Sequence, residues 1–434
     1  MNASRIAFFA AFKPLRSGAE KMIAPLIKEA MALLNRLGET VAYEDVVKTL
    51  DEGKNVVRRL LAKNPDVFAV FVTGGTERIV QFAFRDVHIP VILLACDRAN
   101  SLPAALEILP RLREMGKDVK LIFAKAYDEN VFRALESFLV TRKAVKRLKE
   151  TTLGLFGSPS PWLIGCTTDY RLLEDKFGLT IKRLDLLTLY KEYQEISHSD
   201  AEDVAKRIVD NVEGLKEISY ETVVEATRIY LAAKKIVEKE ALDALAVKCF
   251  EIINVVNNTA CLMVSKLIDE GVIAGCEGDI NATVSMILLN YLTNQPVWLA
   301  NPASVDYERN TLTLAHCTVA TRLISDPKKI VLRSHFESGK GISIQGPVRK
   351  GKVTLIRLGG PRLGSMMILS GQIVDTDMNY GYMCRTQVEV KLNGSVVNFL
   401  DESLGNHLAM VPGDVVERLV EMCDLLQIRP VMIH

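Results

Sequence analysis

Within the first 150 residues, short and continuously apolar runs alternate with stretches whose apolar positions recur at three-and-four spacing. The runs are Arg5 to Phe12, Asp66 to Thr73, Ile89 to Ala95 and Val119 to Ala124, and the stretches between them include Ala19 to Leu37 and Pro103 to Met115. A strand that is apolar at every position has no solvent face, so both of its sides must be covered. Helices with one apolar stripe supply that cover. The alternation therefore predicts a parallel sheet wrapped by helices on both faces. In such sheets ligands bind at loops beyond the strand carboxyl ends. One such loop, Thr73-Gly74-Gly75-Thr76-Glu77, either cradles an oxygen-rich ligand with backbone N–H groups or turns tightly from strand to helix. In another, after Asp97, Ser101 is placed to cap a helix that has Pro103 in its first turn.

A second α/β pattern begins near Thr151. Leu153 to Phe156 reads as a strand and opens into Gly157-Ser158-Pro159-Ser160-Pro161-Trp162, a loop too rich in proline to be regular. A helix over Asp169 to Phe177 and a strand over Leu179 to Asp185 follow, then helical patterns over Asp200 to Val212, Tyr220 to Lys239 and Ala241 to Glu270. From about Val297 the runs become short, β-rich and punctuated by glycine: Ile330 to Arg333, Val353 to Leu358, Met366 to Leu369 and Gln387 to Leu392. A helix over Asp414 to Leu426 and a strand over Pro430 to Ile433 close the chain. The expected division is an α/β domain over 1–150, a second over 151–296 and a β-rich domain over 297–434.

Composition narrows the function classes. Lys plus Arg number 54 against 53 Asp plus Glu, a net charge of +1, which is not the footprint of a dedicated nucleic-acid binder. No run approaches the roughly 18 apolar residues of a membrane span. The apolar start is cut short by Lys13 and reads as a buried strand rather than a secretory leader. The eight cysteines are scattered without a CxxC pair, as expected of reduced thiols in a cytoplasmic protein. Walker A, GxGxxG, GxSxG and HExxH motifs are all missing from the sequence.

Six histidines stand at 88, 198, 316, 335, 407 and 434. His316 ends a β-like run, His335 precedes a glycine-rich loop, and His407 lies in Gly405-Asn406-His407. The acidic candidate is Cys276-Glu277-Gly278-Asp279, ahead of an apolar helix over Ile280 to Leu292. Asp279 is well placed as that helix's N-cap. Glu277 has no capping role, and if buried it must be paired, protonated or metal-bound.

These residues carry a resemblance. Cys276 to Asp279, the run Gln295-Pro296-Val297-Trp298-Leu299-Ala300, Leu314-Ala315-His316-Cys317 and Gly405-Asn406-His407 resemble the L-fucose isomerase and L-arabinose isomerase superfamily. Thr73 to Glu77 and Asn100 to Glu107 are similar to its fucose-isomerase-like branch. The resemblance implies two Rossmann-like parallel-sheet domains followed by a β-barrel-like C-terminal domain. It also implies a metal-dependent aldose–ketose isomerase that works on a free sugar through an ene-diol. The metal would be Mn²⁺, with Mg²⁺ or Co²⁺ as alternatives, and the assembly a homo-oligomer, a trimer or hexamer. Glu277 matches the first acid and His407 the C-terminal histidine ligand, while His316 matches a pocket-lining histidine. Lys248 stands in the helix where the family tends to contact substrate, and Asn406, in the loop of His407, is a further substrate-binding candidate.

The second acid of the pattern is replaced by Asn301, which can offer a carbonyl oxygen to a metal but cannot shuttle a proton. Asp306, five residues on, or Asp279 could substitute for it. The alternative that follows is a sugar-binding or regulatory homologue that has lost isomerase activity. Two neighbours have plainer expectations: Phe250 as a core residue of a long helix, and Arg357 as a solvent-facing strand residue.

Overall fold

A computed structural model describes residues 4–13, 19–166 and 169–434. The chain forms two compact units, Met1–Val140 and Thr141–His434.

The first unit holds the strands β1 (Ser4–Ala11), β2 (Gly38–Val47), β3 (Val67–Phe71), β4 (Val91–Ala95) and β5 (Val119–Phe123). They form one parallel sheet in the order β2-β1-β3-β4-β5. Alternate residues of one strand enter opposite cores. Ile6, Phe8 and Ala10 pack with Leu26, Leu34 and Phe138 on one face. Ala7, Phe9 and Ala11 pack with Val57, Phe84 and Leu112 on the other. The two-sided burial expected from the apolar runs is thus present. The edge strand β2 left no apolar run in the sequence because most of its residues are only half-buried or exposed. Ser101 is not the cap of its helix. Asn100 takes that place in left-handed backbone, φ +49°, while the Ser101 hydroxyl accepts from Cys96 N at 3.0 Å and donates to Val72 O at 2.5 Å. The serine ties the helix start to the ends of two strands instead.

The second unit continues with β6 (Thr152–Phe156), β7 (Thr180–Leu184), β8 (Gly214–Lys216), β9 (Ala244–Val247) and β10 (Ile273–Gly275). Four of them make a second parallel sheet, β10-β9-β6-β7. The expected helix over Ala241 to Glu270 is in fact three elements: β9 and the helices Cys249–Val256 and Cys261–Asp269. Ala244-Leu245-Ala246-Val247 is buried throughout and pairs on both sides. A short apolar run of that kind does not by itself distinguish strand from buried helix.

The remaining strands are β11 (Trp298–Asp306), β12 (Thr311–His316), β13 (Val331–Arg333), β14 (Ser343–Gln345), β15 (Gly351–Gly359), β16 (Ser365–Thr376), β17 (Thr386–Leu392), β18 (Leu408–Pro412) and β19 (Arg429–Met432). Pairing runs β15-β18-β11-β12-β17-β16 and returns from β16 to β15, which closes a six-stranded antiparallel barrel. β19 adds alongside β16, and β13 pairs with β14 on one side and β8 on the other in a small separate sheet. Closure removes the free sheet edges, and a barrel this small is filled by its own side chains. Between sheet and barrel lies the helix Ile280–Thr293, buried at nearly every position. It is apolar all round because it has no solvent side. No helix of the described residues is long and apolar enough to cross a membrane.

Candidate functional site

The second sheet reverses its winding between β6 and β9: from β6 the chain moves outward to β7, and from β9 it moves the other way to β10. A reversal of this kind opens a crevice beyond the strand carboxyl ends. The loop 157–162 after β6, the start of helix Cys249–Val256 after β9 and the turn Cys276–Asp279 after β10 all converge there. Across from them the barrel brings Asn301 on β11, His316 at the end of β12 and His407 just ahead of β18.

Glu277 sits in a turn with φ +58°, followed by Gly278 at φ +69°. Left-handed backbone at a non-glycine residue costs on the order of 1–2 kcal/mol, so its surroundings must impose it. Ser160 N donates to Glu277 O at 2.9 Å, and Gly278 N donates to Val247 O at 2.8 Å. A β-carbon on Gly278 would stand 2.4 Å from the Ser158 carbonyl oxygen, so the position requires glycine. The turn turns the Glu277 side chain into the crevice. There Oε2 accepts from Trp162 Nε1 at 2.6 Å, and Oε1 lies 3.6 Å from His407 Nε2. Burial works to raise the Glu277 pKa, but His407, the indole N–H and His316 outweigh it and hold the carboxyl below its ordinary value. It is a carboxylate at neutral pH.

Asp279 has a different task two residues on. Its Oδ1 accepts from Ala282 N at 2.9 Å and caps the central helix, as the sequence predicts. Its Oδ2 accepts from His407 Nδ1 at 2.9 Å and from Arg357 Nη1 at 2.7 Å. Burial opposes ionisation, yet the Arg357 guanidinium and His407 hold this carboxyl well below the usual carboxylate range. With both oxygens engaged, Asp279 does not replace the missing acid. Arg357 corrects a second expectation. It is 1 % exposed rather than solvent-facing, because the central helix covers β15 on its outer side. Alternation along a strand marks two faces, and here neither meets water.

A carboxylate only accepts, so Asp279 holds a proton on His407 Nδ1 and turns Nε2 toward Glu277. That Nε2 is buried and has no hydrogen-bond partner. Burial lowers the His407 pKa, but Asp279 and Glu277 more than offset this and raise it above the ordinary histidine value. His316 behaves oppositely: burial, with His407 nearby, pushes its pKa down to about 3, and its Nδ1 lies 2.8 Å from Thr318 Oγ1. Glu277, His316 and His407 each present one ligand atom, all buried and within 4.8 Å of one another. Asn301 lines the same cleft, and its Oδ1 is buried and unpartnered. The deep cavity is about 40 Å³, room for an ion and one or two waters, within a cleft of about 460 Å³ counting its open mouth.

Of the residues singled out in the sequence, Glu277, Asn301, His316 and His407 come together. His316 stands among the potential metal ligands rather than only on the wall. Asp306, Lys248 and Asn406 do not join them. Asp306 ends β11 and accepts from Arg309 N at 2.9 Å in the hairpin turn, five residues or about 16 Å along the strand from Asn301. Lys248 pairs with Glu251, and Asn406 is exposed. Phe250 is a cleft residue instead of a core one, its ring 5.1 Å from that of Trp162 and 5.7 Å from that of His335. Helical spacing cannot tell a face that meets a core from one that meets a cleft. Trp162, Arg357 and the cleft carboxylate Glu337 lay outside the sequence-derived set. Scarcity of tryptophan was the one available signal, since only 2 occur in the chain.

No protein-family model matches the chain. Curated relatives are similar over most of its length. The sulfoquinovose isomerase of Priestia megaterium (strain ATCC 12872 / QMB1551) is 25% identical over 344 residues, covering 76% of this chain and 75% of the relative. That of Alkalicoccus urumqiensis is 24% identical over 384 residues, covering 84% and 85%. A third, from Clostridium sp. (strain MSTE9), is 23% identical over 342 residues, covering 76% of each. The proteins to which this chain is similar are thus named as isomerases of a sugar.

Proposed function

We propose that the protein is an aldose–ketose isomerase that moves a proton between C1 and C2 of a sugar through an ene-diol, with a divalent cation bound in the cleft. One observation carries this reading: His407 Nε2, buried and unpartnered, is aimed by Asp279 at the space beside the Glu277 carboxylate. A buried ring nitrogen without a hydrogen bond is costly unless something completes its contacts. Two imidazoles, a carboxylate and the Asn301 amide oxygen form a donor set that fits a divalent transition ion such as Mn²⁺ or Co²⁺ better than Mg²⁺. The cation, when bound, would polarise the sugar's carbonyl and hydroxyl oxygens.

The residues of the chain do the rest. Glu277, ionised and fixed by the Trp162 indole, is the base that can accept a C–H proton and return it to the adjacent carbon. Asp279 and Arg357 act through His407 by setting its tautomer and ring plane. A free, uncharged sugar suits the cleft, since its described lining includes no Lys or Arg. The resemblance to the L-fucose and L-arabinose isomerases and the names of the curated relatives support the same reaction class. A cytoplasmic homo-oligomer, trimer or hexamer, belongs to the same reading and is checked by light scattering. The test of function is hydrogen exchange at C1 and C2 in D₂O with Mn²⁺ present, over a panel of sulfoquinovose, hexoses and pentoses. Exchange that is lost in Glu277→Gln supports the reading, and none with any sugar refutes it.

A second reading rests on Asn301. With an amide in place of the second acid, the cleft could bind sugar without turning it over. Calorimetry that shows sugar binding insensitive to chelator, with no exchange in D₂O, would favour it.

A further inference from the structure

Five of the eight cysteines, Cys249, Cys261, Cys276, Cys317 and Cys384, line the cleft. Neither the ligand set nor the proton transfer uses them. Two are in direct contact: Cys276 Sγ donates to Cys249 Sγ at 3.1 Å. The contact follows from the sheet. β9 and β10 run parallel in the register Gly275↔Ala246, so Cys276 emerges opposite Val247, and Cys249 starts the helix that follows. Both sulfurs are carried by short segments held to neighbouring strands, Cys276 by Gly278 N on Val247 O of β9 and Cys249 by Lys248 N on Phe156 O of β6. Both residues are buried in the fold yet face the cleft, which is the route by which a small oxidant reaches them.

We propose that Cys249 and Cys276 form a reversible disulfide when the protein meets a hydroperoxide, making this pair a modification site in the wall of the cleft. Cys249 is the attacking sulfur. It is the first residue of an eight-residue helix, and it already accepts the Cys276 S–H. Its thiolate attacks one peroxide oxygen, the O–O bond breaks, and a sulfenic acid forms as the other oxygen leaves as hydroxide, which takes up a proton. Cys276 then attacks the Cys249 sulfur, the S–O bond breaks, and water leaves as the S–S bond forms. Two thiols are oxidised and one hydrogen peroxide is reduced to two waters. The bridge fastens the end of β10 to the start of the Cys249 helix one residue before Glu277. Its formation does not depend on the proposed sugar chemistry.

The test treats the full-length protein with hydrogen peroxide, alkylates the remaining thiols and maps peptides without reduction. The expected result is a linked pair of peptides carrying Cys249 and Cys276, with two of the eight thiols lost and both recovered by dithiothreitol. Cys276→Ser should leave Cys249 as a sulfenic acid that dimedone traps, and Cys249→Ser should abolish the link. The proposal is overturned if all eight thiols stay alkylatable, or if bridges form elsewhere while Cys249 and Cys276 remain reduced.

Discussion

The molecule contains two parallel sheets whose strand carboxyl ends are built alike and behave differently. In the first, the loops close on themselves. Thr73 Oγ1 donates to Ala11 O at 3.1 Å, Thr76 Oγ1 donates to Thr73 O at 2.6 Å, Gly74 N donates to Ala99 O at 2.8 Å, and Gly75 N donates to Glu77 Oε1 at 3.2 Å. Thr73 to Glu77 is therefore the strand-to-helix turn rather than a ligand cradle. In the second sheet the corresponding end leaves His407 Nε2 and Asn301 Oδ1 without partners beside a carboxylate. A doubly wound sheet supplies a crevice, but the crevice becomes chemically open only where another element sets unsatisfied donors and acceptors across it. Here that element is the barrel.

Breaking the open end should have the largest effect. Glu277→Gln keeps the shape but removes the charge and the proposed base, and turnover is expected to fall at least about 10²-fold. Asp279→Asn comes next. It leaves the buried Arg357 guanidinium without its anion, at a cost of about 3–5 kcal/mol in chemical unfolding, and frees the His407 tautomer, so Mn²⁺ binding should weaken about 10–100-fold. Asn301→Asp sharpens the comparison from the other side. A second negative ligand should tighten Mn²⁺ in calorimetry by roughly tenfold. Unchanged binding would show that position 301 does not face the ion. Thr73→Ala, at the closed end, should cost about 1 kcal/mol of stability and leave Mn²⁺ affinity untouched.

Much of this was legible in the sequence, for identifiable reasons. The apolar runs announced the parallel sheets because strands buried on both faces cannot be written any other way. Glu277 stood out as an acid with no capping task, and Asp279 as a cap. What the sequence hid was the second use of Asp279. One carboxylate serves a helix end with one oxygen and a histidine and an arginine with the other, and spacing along the chain reports only the first. Arg357 lies 78 residues from Asp279, and its burial follows from a helix that crosses outside its strand. Asp306 looked available because strand geometry was not yet fixed. Once β11 is drawn, its carboxylate belongs to the hairpin turn.

The most direct test is isothermal titration of the chelator-treated, full-length protein with Mn²⁺, beside Glu277→Gln and His407→Ala. One ion per chain bound by the natural protein, with affinity lost in both variants, is the predicted result. No binding, or equal affinity in all three proteins, would contradict a cation held at the open end of the second sheet.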